Sequence, residues 1–137
     1  LNRISGPLLD RIDMHIEVQP VKYEELTGKI PQESSACIRE RVEQASAIQK
    51  ERYRQSMAHN NAQMSRTEIE QHCSLDEGSR HLLKQAMEHL GLSARAYDRI
   101  LKVARTIADL AAQEKIEATH VAEAIQYRSL DKSRLGN

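Results

Sequence analysis

The segment that most constrains this chain begins at Ser93. From there Tyr97, Ile100, Leu101, Ala104, Ile107, Ala108 and Ala111 recur at spacings of mostly three and four, which at helical pitch places them in one arc of about 120°. Ser93 is a good N-cap, so the pattern predicts an amphipathic helix over 94–113 with one core-facing stripe. Such a stripe has to be buried against other elements, and the flanking sequence supplies helices for it. Ile38, Val42, Ala45 and Ile48 predict a helix over 34–56, and Asn60-Asn61 reads as a connection. Ser65-x-x-Glu68 and Ser74-x-x-Glu77 read as capping boxes. The first opens a short helix to about His72. The second opens a helix with Leu82, Leu83, Ala86, Met87 and Leu90 on one side, which Gly91 suits as terminator. Thr119 reads as the cap of a last helix over 120–128.

Composition supports a mainly α fold. Trp and Phe are absent and Tyr occurs four times, so the aromatic enrichment of an all-β domain is missing. Twenty basic and twenty acidic residues cancel, which excludes a uniformly basic nucleic-acid coat but not a local basic stripe. No apolar run approaches the roughly 20 residues of a membrane span, and no membrane partner is expected. Cys37 and Cys73 form no C-x-x-C pair and the six histidines show no H-E-x-x-H spacing. Neither a disulfide framework nor a metal site is therefore expected, and a cytoplasmic setting is. The chain starts at Leu1 without a signal segment and reads as a piece of a longer protein.

Residues 1–31 differ from the rest and hold all three prolines. Pro7 suits the first turn of a short helical segment running through Leu8 and Leu9 to Arg11. Ile12, Met14, Ile16 and Val18 then alternate with Asp13, His15 and Glu17, the pattern of a half-buried strand ended by Pro20. One strand is not stable alone. The expectation is a short N-terminal strand-bearing arm over 1–31, joined to a sheet from elsewhere or lying on a helical bundle over 32–137.

The helix over 94–113 also carries cations. Arg95, Arg99 and Lys102 fall within about 60° of each other opposite the core stripe, with Arg105 flanking them. This predicts an exposed basic row, either a solvated face or a phosphate-binding one. Arg95 sits in the first turn, where the helix dipole disfavours a cation and an anionic partner relieves it. Arg105 lies roughly 15 Å further along, beyond the reach of one triphosphate, so the distal cations suit an extended polyanion such as DNA. For Arg11 the ordinary role is an ion pair with Asp10 or Asp13.

Two stretches carry a wider resemblance. They are I-S-G-P-L-L-D-R-I-D-M-H-I-E-V at Ile4 to Val18, and L-S-A-R-A-Y-D-R-I-L-K-V-A-R-T-I-A-D-L at Leu92 to Leu110, the latter followed by H-V-A-E-A-I-Q-Y-R at His120 to Arg128. Together they resemble the C-terminal end of magnesium-chelatase-like AAA+ ATPases of the ComM (YifB) type. Glu33 to Arg54 and Asn61 to Met64 fit the same pattern, so the resemblance covers nearly the whole chain. It implies that residues 1–31 are the end of an AAA+ core and 32–137 its helical lid subdomain. It also implies that Arg11 is an arginine finger acting in trans, and that Arg95, within Ser93-Ala94-Arg95, is a sensor-2 residue facing ATP. The parent protein is then a competence-related, helicase-like ring motor that uses ATP and magnesium and works on DNA, with Arg99, Lys102 and Arg105 as candidate nucleic-acid contacts. The family's G-x-x-x-x-G-K-[ST] loop is missing from this sequence, so this stretch alone is expected to hold no ATP or magnesium and to be inactive. The alternative from the residues is a helical DNA-binding module without an ATP role, with the basic row as its recognition face.

Overall fold

Local hydrogen bonding sets the ends of the helices. A computed structural model describes residues 5, 7, 8, 11–16 and 33–128 of the chain. Five helices of this region form one bundle: α1 (Ser35–Arg52), α2 (Arg66–His72), α3 (Glu77–Leu90), α4 (Ala94–Leu110) and α5 (Ala118–Gln126), with a 3-10 turn at Asn61–Gln63 between α1 and α2. Ser34 caps α1 by accepting from the Cys37 N–H at 3.2 Å. Ser65 and Glu68 form a full capping box at α2. Ser93 accepts from the Ala96 N–H at 3.2 Å at the start of α4. Gly91 ends α3 in the left-handed region at φ 60°, a conformation that costs glycine nothing.

Several boundaries differ from expectation, among them the end of α4, at Leu110 rather than near residue 113. α3 is capped by Asp76 rather than by Ser74, its carboxylate accepting from the Ser79 N–H at 2.7 Å. A charged acceptor at the N-terminus of a helix also gains from the helix dipole, which favours Asp76 among the two candidates. α5 begins after Glu117, whose N–H donates to His120 Nδ1 at 3.0 Å, not after Thr119. α1 stops at Arg52, because the chain must turn there to bring Asn61 back against the helix.

α4 lies at the centre, packed on α1, α2, the 3-10 turn and α5, while α3 packs on α5. Ile100, Ala104 and Ala108 of α4, Leu83 of α3 and Val121 and Ala124 of α5 are fully buried. Tyr97 and Ile107 are half-buried against this core. No helix among the described residues is long and apolar enough to cross a membrane.

Two expectations about apolar faces are corrected. Of the α1 stripe only Ala45 is buried, and Ile38, Val42 and Ile48 remain exposed. α1 therefore packs on α4 mainly through its C-terminal half, where Arg52 meets α4. The expected strand is also absent: Ile12 to Ile16 shows no strand among the described residues, and its alternation is inverted. His15 is buried while Met14 and Ile16 are exposed. A period-two pattern selects a face only when a partner strand fixes it. Here the His15 N–H instead donates to the Tyr127 carbonyl at 2.7 Å, at the end of α5. Glu17, Val18 and the boundary expected after residue 31 lie outside the described residues.

Candidate functional site

The turn that presents Arg11 is local: the Leu8 N–H donates to Ser5 Oγ at 3.3 Å and the Arg11 N–H to the Leu8 carbonyl at 3.1 Å. The Arg11 side chain is exposed and its guanidinium makes no hydrogen bond or ion pair among the described residues. Asp13, one of its two ordinary candidates as partner, is occupied by Arg99. Asp10, the other, lies outside the described residues.

The four cations of α4 do not form one exposed row. Arg95 is exposed in the first turn and, like Arg11, has no partner among the described residues. Arg99 is half-buried in its ion pair with Asp13. Lys102 Nζ donates to the Ala62 carbonyl of the 3-10 turn at 3.1 Å. Arg105 is corrected from a flanking surface cation to an interior one, with 4% of its surface exposed. Its guanidinium donates to the carbonyls of Gln113 at 2.8 Å, Glu114 at 3.0 Å and His72 at 3.3 Å, and lies 3.2 Å from Asp109. The physical reason is the central position of α4. The chain doubles back after Ala112, at φ 54°, and brings carbonyls from the end of α2 and the α4–α5 loop against the helix. A cation is the natural partner for such carbonyls at helix C-termini.

A second group of residues escaped the sequence analysis. Asp109, with a side chain 1% exposed, accepts a bidentate pair from Arg52 at 2.7 and 2.8 Å and a bond from Asn61 Nδ2 at 2.9 Å. Asn61 also donates to Thr106 Oγ1 at 3.0 Å and accepts from Tyr53 Oη at 2.7 Å. Burial pulls the Asp109 pKa upward, but the bonds from Arg52 and Asn61 and the charges of Arg52 and Arg105 outweigh it and hold the carboxyl below its ordinary range. The Arg52 guanidinium is correspondingly raised, first by its bond to Asp109. Burial pushes Tyr53 up to about 12. This network ties α1 and the 3-10 turn to α4. At helical pitch Asp109 falls among the cations of α4, outside the core stripe, so periodicity carried no signal of its burial.

The remaining chemistry is sparse. Among the described residues no group of three or more His, Cys, Asp or Glu side chains could hold a metal ion. Cys73 is buried beside Met64, and burial pushes its thiol up to about 11, so it is poorly reactive. An apolar groove of about 680 Å³ runs between Met14, Ile38 and Val42 on one side and Val103, Ile107 and Leu110 on the other.

Both the segment that carries Arg11 and the five-helix bundle match known families in sequence. Residues 32–128 match the family described as magnesium chelatase, subunit ChlI C-terminal, and residues 1–26 match magnesium chelatase, subunit ChlI. The chain belongs to the magnesium chelatase ChlI C-terminal family, of the ComM/YifB type. It is 44% identical over 131 residues to the competence protein ComM of Haemophilus influenzae, covering 95% of this chain and 25% of that protein. It is 41% identical over 134 residues to the protein YifB of Escherichia coli, covering 96% of this chain and 26% of YifB. A protein of Mycobacterium tuberculosis is 29% identical over 134 residues, covering 98% of this chain and 26% of that protein. The chain spans about a quarter of the length of the curated relatives it matches. Of the candidate site cations, Arg11 and Arg95 have no partner among the described residues, whereas Arg99 and Arg105 are engaged within the fold.

Proposed function

We propose that this chain is the lid subdomain, with the preceding arginine-finger segment, of an ATP-driven AAA+ ring motor. In this reading Arg11 reaches the ATP of the neighbouring subunit and Arg95 is a sensor-2 residue facing ATP. The observation that carries it is the exposed Arg11 guanidinium, without a partner among the described residues, on a segment whose next residues are tied to the bundle. An arginine is always protonated and presents a planar fork, which suits the charge that gathers on phosphoryl oxygens in a transition state. An exposed guanidinium without a partner among the described residues, as at Arg11 and at Arg95, suits a phosphate. The phosphate-cradling loop and the magnesium ligands belong to the rest of the protein. The reading that the motor is competence-related and works on DNA belongs to the same proposal, with Lys102 as the distal α4 cation still within reach of a phosphate. A DNA-binding module without an ATP role is less well supported, because its recognition row loses Arg105 to the interior and Arg99 to Asp13.

The test is turnover in the full-length protein. Arg11→Ala is expected to lower hydrolysis on the order of 10³-fold, as loss of a finger does, with nucleotide affinity nearly intact. Mixing it with subunits whose phosphate-loop lysine is replaced restores part of the activity, since mixed interfaces regain one complete site. Turnover within a few-fold of wild type for Arg11→Ala refutes the finger role.

A further inference from the structure

The strongest unassigned feature is the way the segment carrying Arg11 is fastened to the bundle. Three successive contacts hold it within four residues. Arg128, fully buried, donates from Nη1 to the Ile12 carbonyl. Arg99 Nη1 pairs with Asp13 Oδ1. The His15 N–H donates to the Tyr127 carbonyl at 2.7 Å. Two of these anchors lie just past the end of α5 and one lies on α4. Two residues of chain reach at most about 7 Å, so fixing Asp13 confines the position of Arg11.

Arg99 also stands one helical turn from Arg95, on the same face of α4. Four residues of helix are about 6 Å. One rigid helix thus carries Arg95 near its start and, a turn later, the cation that grips the segment of Arg11. Arg99 is poorly placed to serve a nucleic acid. Its charge is met by Asp13, its Nε is buried, and a phosphate would have to displace a carboxylate held at close range.

We infer that Arg99 is a positioning residue: through Asp13 it latches the finger segment to α4, so that Arg11 and Arg95 are held as one body. This rests on the proposed ATPase reading. The ion pair itself, being partly exposed, contributes little to global stability, so its removal leaves the fold intact and exposes the positioning effect.

The experiment is a charge-exchange cycle in the full-length protein. Arg99→Ala and Asp13→Ala each lower kcat on the order of 10- to 100-fold, the scale of a small misplacement of a reacting group, with the KM for ATP and the melting temperature unchanged. The exchanged pair, Asp13→Arg with Arg99→Asp, recovers most of the loss. Hydrogen exchange in peptides spanning residues 11–16 is faster in both single variants and slows again in the exchanged pair. DNA affinity is the same in all of them. A loss of DNA affinity and of its salt dependence in Arg99→Ala but not in Asp13→Ala overturns the latch in favour of a phosphate contact. Wild-type turnover and wild-type exchange in both single variants overturn it outright. If Arg11→Ala is itself silent, the finger reading fails and the positioning role with it, while the exchange of residues 11–16 separately reports whether the latch forms.

Discussion

Replacing Asp109 by alanine tests whether the buried network decides how α1 sits on the bundle. In the native chain Asp109 is 1% and the Arg52 side chain 13% exposed. The substitution removes both carboxylate bonds of Arg52 and one of the two bonds made by Asn61 Nδ2. Arg105 loses an ion pair but keeps three carbonyl acceptors. The cost therefore falls on Arg52, a largely buried cation left with Asn61 as its remaining acceptor in the network. Breaking a buried pair from one side costs about 3–5 kcal/mol, which is a large part of the ~5–15 kcal/mol that holds a domain folded. At about 4–8 °C per kcal/mol for a domain of this size, the midpoint should fall by at least ~12 °C. Thermal melting followed by circular dichroism measures it. Asp109→Leu combined with Arg52→Met removes both charges of the bidentate pair, and should recover most of the loss because Arg52 no longer leaves a charge buried without its acceptors, while Arg105 keeps its three carbonyls. A fall of less than about 4 °C for Asp109→Ala, equivalent to ~1 kcal/mol or less, refutes the reasoning. So does a double variant less stable than Asp109→Ala.

Gly91→Ala should destabilise by about 1–2 kcal/mol, the cost of an L side chain in the left-handed region, since a Cβ there meets no atom within 4 Å and only the backbone at φ 60° is strained. An unchanged midpoint in the same melting assay would contradict that cap geometry. Stability should decline steadily on acidification. His72 is held below its ordinary value of 6.5, first by burial and then by the charge of Arg52, so its contribution is present above 6.5 and lost as pH falls from there towards its folded value. Asp109, Asp76 and Glu68 are also depressed, so their contributions are lost below about 4 as they take up protons. Melts at successive pH values check the sign, and His72→Phe, which keeps an aromatic edge against Tyr53, should flatten the part between neutrality and pH 5. A midpoint that rises between neutrality and pH 5 refutes the assignment to His72.

The five helices were legible because their signals act over short distances. Ser65 with Glu68, Ser93 and Gly91 each stop or start a helix through bonds spanning at most five residues, and such bonds are written into the local sequence. The roles proposed for Arg11 and Arg95 rest instead on long segments that resemble a family, and the match of residues 1–26 and 32–128 supports that resemblance. Periodicity also identified the α4 core stripe, through Ile100, Leu101, Ala104 and Ala108.

The tertiary structure decided everything that needed a partner far along the chain. The sequence by itself determined that α4 is amphipathic, but the meeting of α2, the α4–α5 loop and α4 turned Arg105 from surface to interior. Asp109 became the centre of a network only when Arg52, 57 residues earlier, and Asn61, 48 residues earlier, were folded against it. The segment from Ile12 to Ile16 carries a strand pattern, yet the contacts of Arg99, Arg128 and Tyr127, from 86 to 116 residues away, set its conformation. Local patterns report the face a segment can bury. Which face is buried depends on the polar groups that packing brings within bonding distance, since an unpaired buried donor or charge costs more than an exposed apolar side chain.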